Sequence, residues 1–124
     1  MTEAQISQAI QFLCWHRDQR KSFNLRYRDA KGERSERATL IYEIRRRSDG
    51  IVYIHAATTE GLEPQTGRED PPANSRKLIR RTFRLDRMHA LWMRDSEPLT
   101  DEQYAAIRRQ IGMPPAEKIA GVIL

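Results

Sequence analysis

Cysteine is almost absent from this sequence, which has one, Cys14, among 124 residues. A single thiol excludes an internal disulfide and any metal site built from several thiolates. It fits a reducing compartment, so we expect a cytoplasmic protein. Long apolar runs are also missing, and no window approaches the eighteen or so apolar residues of a membrane-spanning helix. The opening MTEAQISQ lacks the basic and apolar regions of a signal peptide.

Catalytic motifs are missing as well. The three histidines, His16, His55 and His89, are scattered along the chain. There is no glycine-rich phosphate loop, no nucleophile elbow, and no set of histidines or carboxylates at metal-binding spacing. We therefore expect a protein that is not an enzyme, with no catalytic residue, no metal and no cofactor.

Positive charge is abundant, and it is concentrated in one place. Residues 76–94 contain seven lysines and arginines against Asp86 alone, whereas the other 105 residues contain 15 basic and 16 acidic side chains. All of the excess positive charge behind the net +5 therefore lies around the stretch RTFRLDRM, residues 81–88. A basic stripe on an otherwise balanced protein is typical of a polyanion-binding surface, although a simply solvated face is the alternative.

The length of the chain predicts a single domain over residues 1–124. Thr2 and Gln5 form a capping box for a helix over residues 2–17. From residue 22 the apolar pattern changes to period two, and the turns DAKGE and RRSDG divide it into three strands of an antiparallel meander. In the second strand, RATLIYEI, this alternation predicts two faces: Ala38, Leu40, Tyr42 and Ile44 on one, and Arg37, Thr39, Ile41 and Glu43 on the other.

The second half of the sequence begins with an acidic, proline-containing stretch, residues 59–76, which predicts a long exposed loop. Strand signals resume at Lys77 and continue to about Met93, with a bend near Asp86. A second capping box predicts a helix over residues 100–111. The apolar tail, residues 116–124, predicts packing on the domain or on a second copy, and self-association most simply gives a two-fold dimer.

These elements resemble a known family. RKSFNLRYRDAKGERSER, GIVYIHAA and RTFRLDRM are similar in order and content to the WYL domain, over residues 17–93. The resemblance implies a mainly β fold with flanking helices: a small Sm-like, SH3-type barrel of five antiparallel strands over residues 22–93. It also implies a ligand-sensing domain of bacterial transcription regulators and defence-associated proteins. The naming tripeptide is degraded to Val52-Tyr53-Ile54, and the helix-turn-helix that usually precedes such domains has no counterpart here.

The resemblance and the strand pattern together give candidate binding residues. Tyr53 and His55 share the face opposite Val52 and Ile54, where they stack on a base and donate to phosphate, or merely cap the sheet. Arg81 shares the face of Phe83 and Leu85, so it is either paired internally with Asp86, Glu43 or Glu36, or binds the phosphate of a ligand. The remaining candidates are arginines on strands or at the bend: Arg26, Arg37, Arg84 and Arg87.

Three functions stay open at this point. The favoured one is a sensing domain that binds single-stranded nucleic acid or a nucleotide through a basic and aromatic face, as a transcription regulator or an accessory of a defence system. A larger effector or a separate DNA-binding protein is then a further partner. The second is a protein-interaction domain whose arginines meet an acidic partner, and the third is an Sm-like RNA-binding protein. The aromatics among the arginines favour the first, because an acidic protein partner needs no stacking surface.

Overall fold

A computed structural model of the protein describes residues 1–59 and 78–124. The first helix, α1, spans Glu3–Gln19, and both hydrogen bonds of the predicted capping box between Thr2 and Gln5 are present. The helix ends two residues later than the sequence indicates, because Arg20 adopts a left-handed conformation with φ of 52° and its N–H donates to the carbonyls of Arg17 and His16. The predicted loop over residues 59–76 lies outside the described residues, apart from the backbone of Thr59.

Six strands form one antiparallel sheet in the described chain. They are β1 (Phe23–Arg28), β2 (Arg34–Arg46), β3 (Val52–Thr59), β4 (Leu78–Arg84), β5 (Met88–Met93) and β6 (Val122–Ile123). The hydrogen-bonded path runs β4-β3-β2-β1-β5, and β6 pairs with β2. A 3-10 turn, Leu85–Arg87, joins β4 to β5 at the predicted bend. The prediction of a mainly β, antiparallel α+β fold, with one helix before the strands and one after them, is confirmed. Strand β6, after the second helix, is an additional short strand.

Strand β2 belongs to two cores because it contains a bulge. The β2–β3 register shifts between Ile41 and Glu43, so Tyr42 is the extra residue. Ile41 and Ile44 consequently lie in the same apolar cluster, with Leu13, Phe83 and nine other buried residues of the described chain, between the sheet and α1. The predicted alternation, which separated Ile41 from Ile44, is therefore wrong beyond the bulge.

The second core lies against α2, which spans Asp101–Gln110. Leu40 and Tyr42 from β2 pack there with Ile107, Met113 and Ile119. The rings of Tyr42 and Tyr104 stack with centroids 4.2 Å apart, and each hydroxyl donates to a backbone carbonyl on the other element. These bonds satisfy the hydroxyls of the buried Tyr42 and the half-buried Tyr104 and fix α2 against the bulged strand.

The segment after α2 returns to the sheet. A second 3-10 turn, Ala116–Lys118, precedes Ile119, which is buried in the second core. Gly121 then has φ of +101°, and a Cβ there would lie 2.8 Å from the carbonyl oxygen of Arg46, so only glycine permits the approach of β6 to β2. The tail thus packs on its own domain, while the side chains of Val122 and Ile123 stay exposed. Neither helix of the described chain is both long and apolar enough to cross a membrane.

Candidate functional site

The pairing of β3 with β4 arranges the first set of candidate residues. Tyr53 lies opposite Arg84 and His55 opposite Thr82. Tyr53 and His55 are half-buried, while Val52 and Ile54 between and beside them are buried in the first core. The two side chains therefore leave the sheet on the face away from that core, as the period-two pattern predicts.

A cavity of about 340 Å³ lies on this face. Its floor is formed by Tyr53 and His55 of β3 together with β4, and its opposite wall by the segment from Pro114 to Ala120. Three cationic side chains line it: Arg47 from the β2–β3 turn, Arg80 from β4 and Lys118 from the second 3-10 turn. The lining residues that the structure describes include no carboxylate. This combination attracts an anion, because unbalanced cations in a confined site focus their field on the space between them.

The wall of the cavity is held in place by arginines. Arg45, only 5% exposed, donates from its guanidinium to the carbonyl oxygens of Ala116, Ile119 and Gly121 at 2.7–3.1 Å. The same group pairs with Glu43 at 3.4 Å, beneath the wall. Arg80 donates to the carbonyl oxygen of Gly112 at 2.8 Å. The wall is therefore fixed by backbone carbonyls, which accept from Arg45 and Arg80 without adding negative charge to the cavity.

Glu43 is a buried carboxylate beneath the cavity wall, and its charge is already balanced. It is 8% exposed, and besides Arg45 it has Arg108 of α2 at 3.8 Å. A carboxylate flanked by two guanidiniums has little net charge left to repel a ligand. Glu43 thus contributes to the support of the site, and none of the described residues that line the cavity with the three cations is a carboxylate.

His55 stands between these charges. Its Nδ1 lies 3.2 Å from the hydroxyl of Thr82. Burial lowers the pKa of His55 below its ordinary value, and Arg45, Arg47 and Arg80 lower it further, against an opposing effect of Glu43. The lowered pKa of His55 favours the neutral imidazole, whereas an anion placed among the three cations would favour its protonation.

Tyr53 provides the aromatic surface of the cavity. The guanidinium of Arg47 lies over its ring, 4.8 Å from the centroid. Arg47 is placed there by the β2–β3 turn, where the N–H of Gly50 donates to the Arg47 carbonyl and Asp49 accepts from Ile51. A cation held on a tyrosine ring forms a platform on which a base can stack beside a phosphate contact.

The arginines of RTFRLDRM lie on different faces of the sheet and have different neighbours. Arg84 lies beside Tyr53 in the register, and its guanidinium forms a two-point ion pair with Asp86 at 3.0 and 2.7 Å. That pairing lowers the pKa of Asp86, mainly through the hydrogen bond from Arg84 and with a smaller effect of Arg87. Asp86 therefore partly neutralises the positive charge of Arg84 at the end of β4.

Arg81 lies on the other face of the sheet. It stands opposite Ala56, with its guanidinium 5.8 Å from the ring centroid of Phe83. None of its three predicted partners, Asp86, Glu43 and Glu36, forms an ion pair with it within the described ranges. Its neighbour is Arg37, 4% exposed, whose pKa falls to about 10 because burial and then the charge of Arg81 disfavour its protonated form.

Arg26 is the last of the predicted binding residues. Its guanidinium forms an ion pair with Glu36 across the β1–β2 ladder at 2.6 Å and lies over the ring of Trp92. Trp92 belongs to β5, which is at the opposite end of the strand order from β4. The structure thus brings Tyr53 and His55 into one cavity, with Arg84 at its side. Arg37 and Arg81 lie together elsewhere, and Arg26 and Arg87 lie apart from the cavity lining.

The sequence analysis did not predict the three lining cations, Arg47, Arg80 and Lys118, as site residues. Arg80 could have been found, since it shares the parity of Thr82 and Arg84 and faces the same side as His55. Arg47 looks like an ordinary turn residue in the sequence. Lys118 comes from a segment whose path over the sheet depends on Arg45 and Gly121, and no local pattern signals that path.

Comparisons with known proteins add no relative. No family model matches the chain, and no curated protein or solved structure matches it significantly. Within residues 1–59 and 78–124 no group of three or more histidines, cysteines or carboxylates could hold a metal ion.

Proposed function

We propose that this protein is a ligand-sensing domain that binds an anionic ligand of the nucleic-acid type, a nucleotide or a short single-stranded segment, in the cavity between β3, β4 and the 114–120 segment. The observation that carries the proposal is the lining: three cations and one tyrosine ring, with no carboxylate among the described lining residues. Cations bind phosphate, and an aromatic ring beside them selects a ligand that also has a base. The volume of about 340 Å³ suits a ligand of roughly one nucleotide.

The order of the strands supports a proposal about the fold, namely that the sheet forms a small barrel. A path of five antiparallel strands in the order β4-β3-β2-β1-β5, with a 3-10 turn between β4 and β5, is the arrangement expected of a small SH3-type or Sm-like barrel. We propose on this basis, and on the resemblance of RTFRLDRM and its preceding strands, that the domain is WYL-like. A role in transcription regulation or in a defence system is part of the same proposal.

Fluorescence anisotropy with labelled short oligonucleotides and labelled nucleotides, at two salt concentrations, tests the proposal. If two or three phosphates are contacted on a single strand, log K should fall with log salt with a slope of about −1.4 to −2. Arg47→Ala should weaken binding and flatten this slope by about 0.7. Arg109→Ala, which removes an exposed arginine of α2, is the matched control and should leave the slope unchanged.

A competition experiment distinguishes a nucleic-acid ligand from an acidic protein partner. Poly-glutamate offers charge without a base, so under our proposal it should compete far less well than an oligonucleotide of equal charge. Equal competition by both polymers, with Tyr53→Ala binding like the wild type, would contradict a nucleic-acid ligand and favour an acidic protein partner.

A further inference from the structure

Strand β6 leaves apolar surface exposed at one edge of the domain. Val122 is 71% exposed and Ile123 is 55% exposed, although the strand itself is paired with β2. Val122 lies opposite Arg46 and Ile123 opposite Arg45 in the ladder. Cross-strand partners project from the same face, so the two side chains leave opposite faces of the sheet, with Val122 on the face of Arg46.

A wide apolar groove begins on the other side of Arg46. It has a volume of about 770 Å³ and lies between the first half of α1 and the β2–β3 hairpin. Ile6 and Ile10 of α1 form one side, and Ile51 and Val52 form the other. Arg46 lines this groove as well, and it is also the ladder partner of the exposed Val122.

An apolar projection beside an apolar groove on the same face is self-complementary. In a two-fold pair the same patch meets itself, so each copy has to supply both halves of the contact. Val122 of one copy can enter the groove of the other while the reciprocal contact forms at the same time. The arrangement closes with two copies, and it buries two surfaces that a soluble monomer rarely leaves exposed side by side.

The charges at the rim have the matching pattern. Arg46 is exposed beside Val122, and Glu3 lines the groove at the start of α1. A positive charge therefore accompanies the projecting Val122, and a negative charge lies in the groove that would receive it. We propose that this face is a homodimer interface, formed by reciprocal insertion of Val122 into the α1–hairpin groove and bordered by Arg46–Glu3 ion pairs.

Sedimentation velocity over a concentration series tests the proposal with the full chain. The wild type should approach twice the monomer mass of 14.5 kDa as concentration rises. Val122→Asp should weaken dimerisation at least tenfold. Ser7→Arg, which fills the groove from an exposed position on α1, should do the same without altering β6.

Two controls separate this interface from a general effect of apolar exposure. Ile123→Asp changes the neighbouring side chain on the opposite face, and Met93→Asp changes a methionine of β5 that is 57% exposed, and both should dimerise like the wild type. Glu3→Arg and Arg46→Glu should each weaken the dimer, and the double variant should restore it. Circular dichroism checks that each variant is folded.

A wild type that stays at the monomer mass at all concentrations would overturn the proposal. So would a dimer that is unaffected by both Val122→Asp and Ser7→Arg, because the contact would then lie elsewhere. Tyr53→Ala should leave the mass unchanged, so failure of the proposed ligand site and failure of this interface are distinguished in separate experiments.

Discussion

The stretch RTFRLDRM and the β2–β3 turn differ in a way that the sequence conceals. RTFRLDRM has the denser charge, yet Arg84 is paired with Asp86, and Arg81 lies on the opposite face from the cavity. The turn looks ordinary, yet it places Arg47 on the ring of Tyr53 at the edge of a cavity that has three cations. Local charge density therefore says little about where positive potential is available. What decides is the cross-strand position of each side chain and the carboxylates that the fold brings to it.

The largest expected effect concerns the arginine that supports the cavity and does not line it. Arg45→Ala removes donors to three carbonyls and leaves Glu43 buried with Arg108 alone. Breaking a buried pair in this way typically costs about 3–5 kcal/mol. We expect urea unfolding to show a loss of that size.

Arg109→Ala, on the exposed face of α2, is the matched control for stability and should unfold like the wild type. An Arg45→Ala protein as stable as this control would mean that the 114–120 segment is held by its apolar contacts, above all Ile119, and not by the guanidinium.

The second effect concerns the stacking surface. Tyr53→Ala should weaken oligonucleotide binding by about 1–3 kcal/mol with an unchanged salt slope, because stacking releases no counterions. Tyr53→Phe retains the ring and should bind nearly as the wild type. Anisotropy titrations of both variants at two salt concentrations give the comparison, and a loss that is equal in both would point to the hydroxyl instead of the ring.

The third effect is a dependence of stability on pH. Burial lowers the pKa of His16 and of His55 below that of a histidine in the unfolded chain. The unfolded state therefore takes up protons first as the pH falls below about 6.5, and the free energy of unfolding should decrease from there towards the folded-state pKa values. Urea titrations between pH 7.5 and 5 measure it.

His16→Gln should remove part of this pH dependence, since His16 is 2% exposed and its Nε2 has no hydrogen-bond partner in the described part of the chain. His89, exposed on β5, serves as the control, and His89→Gln should keep the wild-type profile. If the two variants have the same profile, the pH dependence comes from other groups.

The smallest effect is expected where the sequence shows the densest charge. Arg84→Ala breaks an ion pair that is open to solvent, with the Arg84 and Asp86 side chains 28% and 53% exposed, so the melting temperature should stay close to that of the wild type. Asp86 then loses its partner, and the salt slope of ligand binding should change less than in Arg47→Ala. A slope that flattens more in Arg84→Ala than in Arg47→Ala would show that the ion pair opens to bind phosphate.

Much of the fold was predictable from the sequence because its signals are local. Capping boxes at Thr2 and Thr100 locate both helices, and period two with an Asp-Gly turn gives the meander. The bulge at Tyr42 was not predictable, since it depends on packing Ile41 and Ile44 into one core and Tyr42 into another. A pattern of period two has no way to signal an extra residue whose position is chosen by tertiary contacts.

The candidate site was predictable only where it depends on a single strand. Tyr53 and His55 follow from the alternation of β3, and the cavity does contain both. The division of Arg81 from Arg84 follows from β4 in the same way. The opposite wall is different, because it comes from the 114–120 segment, far from β3 in the sequence. Arg45 positions this segment by donating to main-chain carbonyls, which every residue type has, so the sequence does not reveal the contact.

The pairing of β1 with β5 determines the order in which the sheet can form. It joins Phe23 to Met93, whereas β1, β2 and β3 are joined through short turns. Closing so long a stretch of chain costs entropy before the contact contributes any stabilisation, so the meander should form first and β5 should dock onto it afterwards. On a ribosome, the edge of β1 would stay open until β5 has left the exit tunnel, which makes that edge the place where slow synthesis or a truncated chain would expose the protein to aggregation.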